Sequence, residues 1–248
     1  MNYRNSISTT NSRPRAIVLC GDGINCERET VAAFTAAGFF ASALHINRLA
    51  ENPKILQDSR VLAFPGGFSF GDELGSGQIL AAKIVSTALD QILEFIDQGR
   101  PVIGICNGFQ ALTKMGLLPS RRFPRSVALA PNSSGAFINK WVEVEFPPSK
   151  CIWTTGLDPF SLPVRHGEGR VISKQEIESD CVAVRYLEDF NGSTGRIAGI
   201  CDESGVVFGL MPHPEAAIYD VLHPTRLPGS AHGIKIFENA FRYTKEIN

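Results

Sequence analysis

The chain of 248 residues is 44% hydrophobic and 20% charged, with a formal net charge of -1 and no long run of one sign. Those values fit a soluble globular protein with one large core and exclude an electrostatic nucleic-acid surface. No apolar stretch approaches the roughly 18 residues that cross a bilayer, and no apolar leader core follows the first methionine, so neither nucleic acid nor membrane is an expected partner.

Residues 1–13, MNYRNSISTTNSR, are polar and lack acids, and they read as a mobile tail ahead of a single domain spanning 14–248. A transit peptide shares that composition, but this stretch has no apolar helical face. From Arg15 the pattern alternates. AIVLC (16–20) reads as a buried strand, CERETVAAFTAAGF (26–39) as a helix closed by Gly38, and FASALHI (40–46) and RVLAF (60–64) as further strands. Apolar residues from Ile84 to Ile96 recur at three-to-four spacing and predict one helix ending near Gly99. PVIGI (101–105) is another apolar strand, and GFQALTKMG (108–116) a short helix after it. Strand-helix alternation predicts an α/β fold with a mostly parallel central sheet and helices on both faces. Past Pro119 turn-rich stretches separate KWVEVEF (140–146), CVAVRYL (181–187), GRIAGIC (195–201) and GVVFGLM (205–211). These predict additional antiparallel strands in the C-terminal half, and GIKIFENAFRYTK (233–245) a closing helix.

The six cysteines (Cys20, Cys26, Cys106, Cys151, Cys181, Cys201) are scattered, with neither C-x-x-C pairs nor zinc-ligand spacing. They read as reduced thiols of a cytoplasmic protein, and no metal is expected on the chain. One of them has a distinctive context. Cys106 sits between strand and helix in G-x-C-x-G (Gly104 to Gly108), the pattern of a nucleophile elbow. There a helix N-terminus and a nearby histidine would favour the thiolate. Packing of a small apolar residue is the competing explanation.

Three other segments weigh on that choice. MPHPEA (211–216) follows a strand-like run and carries His213 and Glu215 two positions apart. In extended backbone both would share a face, the carboxylate fixing the imidazole tautomer. FPGGFSFGD (64–72) runs a strand into Gly66 and Gly67, a turn that can aim backbone N–H groups at an oxyanion or can be only a turn. RHGEGR (165–170) offers His166, Glu168 and Arg170 around small residues, as a ligand loop or as a charged hairpin turn. No G-x-x-x-x-G-K-[ST] occurs, and GSG at 75–77 follows no strand, so no nucleotide cofactor is placed on the chain.

GICNGFQALTKMGLLP, FPGGFSFGD, HGEGR, MPHPEA and GINCERET (23–30), in their order, resemble the class I, triad-type glutamine amidotransferase family from about Arg15 to the C-terminus. Within it they are similar to the subfamily of glutaminase subunits of phosphoribosylformylglycinamidine synthase. The resemblance implies Cys106 as nucleophile, His213 as general acid/base and Glu215 as its orienter. It implies an oxyanion hole on the backbone of Gly67 and Asn107 beside Gly66. It also implies a glutamine-binding group of Gln110 and the main chain near His166 and Gly167. It further implies that ammonia from glutamine passes to a large synthetase subunit, with or without a small accessory subunit. That partner would carry ATP and magnesium and convert formylglycinamide ribonucleotide to the amidine in purine biosynthesis. The chain departs from the family pattern at Ala216, where arginine often follows His-Pro-Glu, and in ELGSGQILAAK (73–83). Two alternatives stay open on the residues: an amidotransferase or peptidase-like hydrolase with another acceptor, and a catalytically silent scaffold subunit.

Overall fold

The computed structural model describes residues 13–72, 75–120 and 125–247. The expected tail, apart from Arg13, lies outside the described residues, as do Glu73 and Leu74 of the divergent 73–83 segment.

Four short strands form early in the chain, all but β2 largely or fully buried: β1 (Arg15–Cys20), β2 (Phe40–His45), β3 (Val61–Phe64) and β4 (Val102–Ile105). Between them run α1 (Glu27–Ala36), α2 (Ile46–Glu51), α3 (Gln78–Thr87) and α4 (Leu89–Asp97), and α5 (Asn107–Lys114) follows β4. The second half contributes β5 (Val127–Pro131), β6 (Ile138–Glu145), β7 (Phe160–His166), β8 (Glu168–Ser173), β9 (Val182–Tyr186), β10 (Ile197–Cys201) and β11 (Val207–Leu210), then α6 (Ile234–Glu246).

Among the described residues nine strands make one sheet in the order β2-β1-β3-β4-β11-β10-β9-β6-β7, and β5 pairs with β8 apart from it. Pairing is parallel from β2 through β11 and antiparallel from β11 to β7. The expected α/β sheet with antiparallel additions is therefore what the chain forms. All residues of β3, β4 and β11 are buried, because helices cover both faces of the parallel half. On one face α1 meets α6 through Phe34, whose ring packs edge-on against Phe39, Phe237 and Trp153. No helix among the described residues is long and apolar enough to cross a membrane.

Three local expectations need correction. The single helix across 84–96 is two helices, broken at Ala88, where φ is -142°; the apolar spacing continues across the break because both helices bury the same side. Ile46 is not the end of β2 but the start of α2, where the His45 ring caps the turn by accepting from the Asn47 N–H at 3.2 Å. RHGEGR is not a bare turn: His166 closes β7 and Glu168 opens β8, so the segment joins the main sheet to the two-stranded one.

Candidate active site

In a parallel sheet the carboxyl ends of neighbouring strands share one edge, and β3, β4 and β11 are adjacent there. Gly66 and Gly67 follow β3, Cys106 follows β4, and His213 follows β11. The topology thus gathers three segments that lie far apart in the chain.

The elbow is real and tight. Cys106 has φ 51° and ψ -106°, a backbone conformation that non-glycine residues seldom adopt and that costs of order 1–3 kcal/mol. Surrounding contacts hold it. Its N–H donates to the Leu210 carbonyl at 2.8 Å, and its carbonyl accepts from the Gln110 N–H at 3.1 Å, inside α5. The two flanking glycines are required by close approach: a Cβ on Gly108 would lie 1.8 Å from the Phe64 carbonyl oxygen, and one on Gly104 2.6 Å from Leu112. Helix α5 can pack on β3 and β4 only without those side chains. Cys106 Sγ lies beyond the helix N-terminus, where partial positive charge favours an anion, and 3.8 Å from the Arg165 carbonyl oxygen.

His213 and Glu215 are 3% and 2% exposed. They meet differently from the expectation of extended backbone. Pro214 opens a 3-10 turn over Pro214–Ala217, and this turn brings the Glu215 Oε1 to 2.6 Å from His213 Nδ1. Burial pushes the imidazole's proton affinity down, but the Glu215 carboxylate, then Cys106, outweigh it, and the pKa stands well above the ordinary value. The thiols of Cys106 and Cys26 both act on the ring, and its Nε2 is buried without a closed hydrogen bond. Cys26 enters from the loop before α1, which is pinned to the glycine turn: the Asn25 and Cys26 N–H groups donate to the Gly66 carbonyl at 3.4 and 3.2 Å, and Ile24 bridges Gly67.

The remaining expected residues surround this centre. Asn107 Oδ1 accepts from the Ser69 N–H at 3.3 Å, tying α5 to the glycine turn. Asn107 Nδ2 donates to Gln110 Oε1 at 3.0 Å, and Gln110 Nε2 donates to the Glu168 carbonyl at 2.6 Å. This chain of bonds links the elbow helix to the His166–Glu168 corner. Asn132 locks that corner: its Nδ2 donates to the His166 carbonyl at 2.8 Å, its N–H donates to the Gly167 carbonyl at 2.8 Å, and its Oδ1 lies 2.9 Å from His166 Nδ1. Burial first, and the charge of His213 second, push His166 down to about 4, so it is neutral at physiological pH. Sequence reasoning missed Asn132 and Cys26. It also missed Tyr186, whose hydroxyl is buried without a partner and whose pKa is raised by burial and then by Cys106. Only Cys26 left a local signal, an Asn-Cys pair just ahead of a helix start.

This geometry sets a thiol at a helix N-terminus beside an imidazole that a carboxylate orients, with a hydrogen-bonded Gln110 on the same helix. Comparison with known proteins points the same way. A family model described as a CobB/CobQ-like glutamine amidotransferase domain matches residues 13–244. The phosphoribosylformylglycinamidine synthase subunit PurQ of Dehalococcoides mccartyi is 37% identical, over 95% of this chain and 100% of that protein. The protein of the same name from Thermotoga maritima is 36% identical over 94% of this chain and 99% of its own length. A solved structure described as PurLQS from Thermotoga maritima matches with a TM-score of 0.79 at 36% identity, over 93% of this chain and 99% of that one. A solved glutamine amidotransferase from Thermotoga maritima shares the fold, with a TM-score of 0.58 at 14% identity, over 93% of this chain and 96% of that one.

Proposed function

The chain belongs to the CobB/CobQ-like glutamine amidotransferase family, and from that premise we propose that it hydrolyses glutamine with Cys106, His213 and Glu215 and delivers the ammonia to a phosphoribosylformylglycinamidine synthase partner. The reading takes residues 14–248 as one amidotransferase domain.

His213, whose proton affinity is raised by Glu215, takes the Cys106 proton. The thiolate attacks the side-chain carboxamide carbon of glutamine, and the resulting oxyanion is met by the Gly67 and Asn107 backbone. One such donor is worth about 3 to 4 kcal/mol of barrier. Imidazolium returns the proton to the nitrogen, the C–N bond breaks, and ammonia leaves a glutamyl thioester. A water molecule, deprotonated by the same imidazole, then cleaves the thioester and releases glutamate. Gln110 and the main chain at His166 and Gly167 hold the amino-acid end of glutamine. Ammonia protonates in neutral water and loses its nucleophilicity, so direct transfer to the partner preserves it. There an ATP- and magnesium-dependent step converts formylglycinamide ribonucleotide to the amidine, with or without a small accessory subunit. The PurQ relatives and the PurLQS structure support this assignment.

The observation that carries the catalytic reading is a strained elbow cysteine acting on an imidazole that a carboxylate anchors at 2.6 Å. Cys106→Ala tests it in the assembled complex. Glutamine-dependent turnover should vanish while ammonium-dependent turnover survives. Retained glutamine-dependent turnover, or loss of both activities in a folded and assembled variant, would overturn it.

A further inference from the structure

Cys26 is the one thiol at this centre that the glutaminase chemistry leaves unused. Its sulfur is packed against the His213 ring: a Cβ built on Gly66 would meet Cys26 Sγ at 3.2 Å and His213 Nδ1 at 3.3 Å. One ligand atom from each of Cys26, His213 and Glu215 lies within 4.8 Å of the other two. One atom of the cluster, Glu215 Oε2, is buried and lacks a hydrogen-bond partner, on a side chain that is almost wholly covered; an ion shared with Glu215 would take His213 through Nδ1, the nitrogen on the carboxylate's side. Sulfur, imidazole nitrogen and carboxylate oxygen together are a donor set for a borderline-soft divalent cation, while hard cations prefer all-oxygen sites.

We propose that Cys26, His213 and Glu215 form an inhibitory site for a divalent cation of the zinc class. Bonds of about 2.0 to 2.3 Å to such an ion set ligand pairs roughly 3.3 to 3.7 Å apart, so a pair at the 4.8 Å limit closes by up to about 1.5 Å while the His213 Nδ1–Glu215 Oε1 pair, now 2.6 Å apart, opens by about 1 Å or less. Cys26 is only partly buried and can supply that movement. Binding replaces protons by metal: the Cys26 thiol loses one, the His213–Glu215 pair loses another where it holds one, and both pass to solvent. An imidazole or carboxylate so engaged can no longer carry the Cys106 proton, so metal binding and glutamine hydrolysis exclude each other. No spacing rule could reveal this set, because its members come from opposite ends of the chain and meet only across the sheet edge.

The full chain titrated with Co2+, as a spectroscopic probe, tests the site independently of turnover. One equivalent should give a thiolate-to-cobalt absorption band that Zn2+ displaces. Cys26→Ser should abolish the band and weaken Zn2+ by at least the about 10- to 100-fold that loss of even an outer-shell partner costs. Cys106→Ser should keep it, and Glu215→Gln should weaken binding too. Thermal unfolding of each variant separates lost ligands from lost structure. A band that persists in Cys26→Ser and disappears in Cys106→Ser would put the metal on the nucleophile and overturn the proposal, as would no stoichiometric binding by the folded wild type. The inhibition itself rests on the glutaminase reading: in the assembled complex Zn2+ should slow glutamine-dependent turnover and spare ammonium-dependent turnover. Cys26→Ser should need about 10-fold more Zn2+ or beyond for the same fractional loss. A complex without glutamine-dependent turnover would sink that reading while the cobalt titration still decided the site.

Discussion

Replacing Gly66 with alanine should damage catalysis through one methyl group. A Cβ there would stand 2.7 Å from His213 Cε1, 3.3 Å from Nδ1 and 3.2 Å from Cys26 Sγ, against an ordinary contact of 3.4–4 Å. Gly66 is not among the glycines with positive φ, so alanine meets no backbone strain, and the conflict is chiefly with the ring and more mildly with Cys26 Sγ. The ring must withdraw by about 1 Å to reach normal separation. It is not free to do so, because the Glu215 carboxylate holds Nδ1 at 2.6 Å and both residues are buried. Either the ring moves off the Cys106 thiol or the hydrogen bond to Glu215 stretches toward a length at which it ceases to orient the tautomer.

A misplacement of about 1 Å in a proton-transferring group costs about 100-fold in rate, near 2.7 kcal/mol of barrier. Overpacking costs stability as well, about 1–3 kcal/mol, which leaves the protein folded at ambient temperature. Steady-state glutamine-dependent turnover of the assembled complex measures the first effect, ammonium-dependent turnover is the control for assembly, and chemical denaturation measures the second. The expected result is a fall in kcat with the ammonium-dependent rate intact. A folded Gly66→Ala enzyme whose kcat stays within about three-fold of wild type would show that the reaction does not depend on where this ring sits.

Two further outcomes follow from the buried histidines. Glu215→Gln removes the charge that opposes burial at His213, so the ring's titration, followed by NMR, should move to lower pH, and glutamine-dependent kcat should drop by about 10³ to 10⁴; an unmoved titration would refute the pairing. His166 binds no proton until about pH 4 in the folded chain, whereas an unfolded histidine does so near 6.5. The unfolded state therefore holds the extra proton between those values, and stability should fall as pH drops through this window, by up to about 3 kcal/mol. His213 works in the other direction and at higher pH: its raised affinity favours the folded state below about 6.5, and that contribution is lost as pH rises through its folded pKa. Denaturation midpoints of wild type and His166→Gln across the acid window should diverge, and parallel curves would refute the assignment.

Much of the architecture could be read from the sequence because the central parallel strands β3, β4 and β11 are buried on both faces and must be written as uninterrupted apolar runs. VLAF, VIGI and VFGL are such runs, and each feeds directly into a segment of the candidate site. What failed was legibility where two neighbours bury one surface. The apolar series Ile84, Ala88, Ile92 and Ile96 keeps helical spacing through the break at Ala88, since α3 and α4 both turn these residues inward. The strands β5, β7 and β8 went unread for a different reason. Their apolar runs are interrupted, and SLPVRH carries a proline and three polar residues within a run that pairs along its whole length with β6.

The site shows the same division more sharply. Cys106 could be read from its own surroundings, because the demand for a strained turn is written locally, in the two glycines that Phe64 and Leu112 leave no room to replace. His213 and Glu215 were likewise visible two positions apart, although a proline-initiated turn, not a strand, makes them meet. Asn132 has no such signature. Its side-chain amide and backbone N–H together join the His166 and Gly167 carbonyls and the His166 ring nitrogen, more than thirty positions further on, and nothing in PNSSG announces those partners. A residue that shapes its own backbone leaves a local trace; a residue that satisfies distant buried groups is identified only once the chain has brought them to it. Cys26 lies between the two cases: its position before a helix is local, but its meaning depends on a ring that β11 delivers from the other end of the sequence.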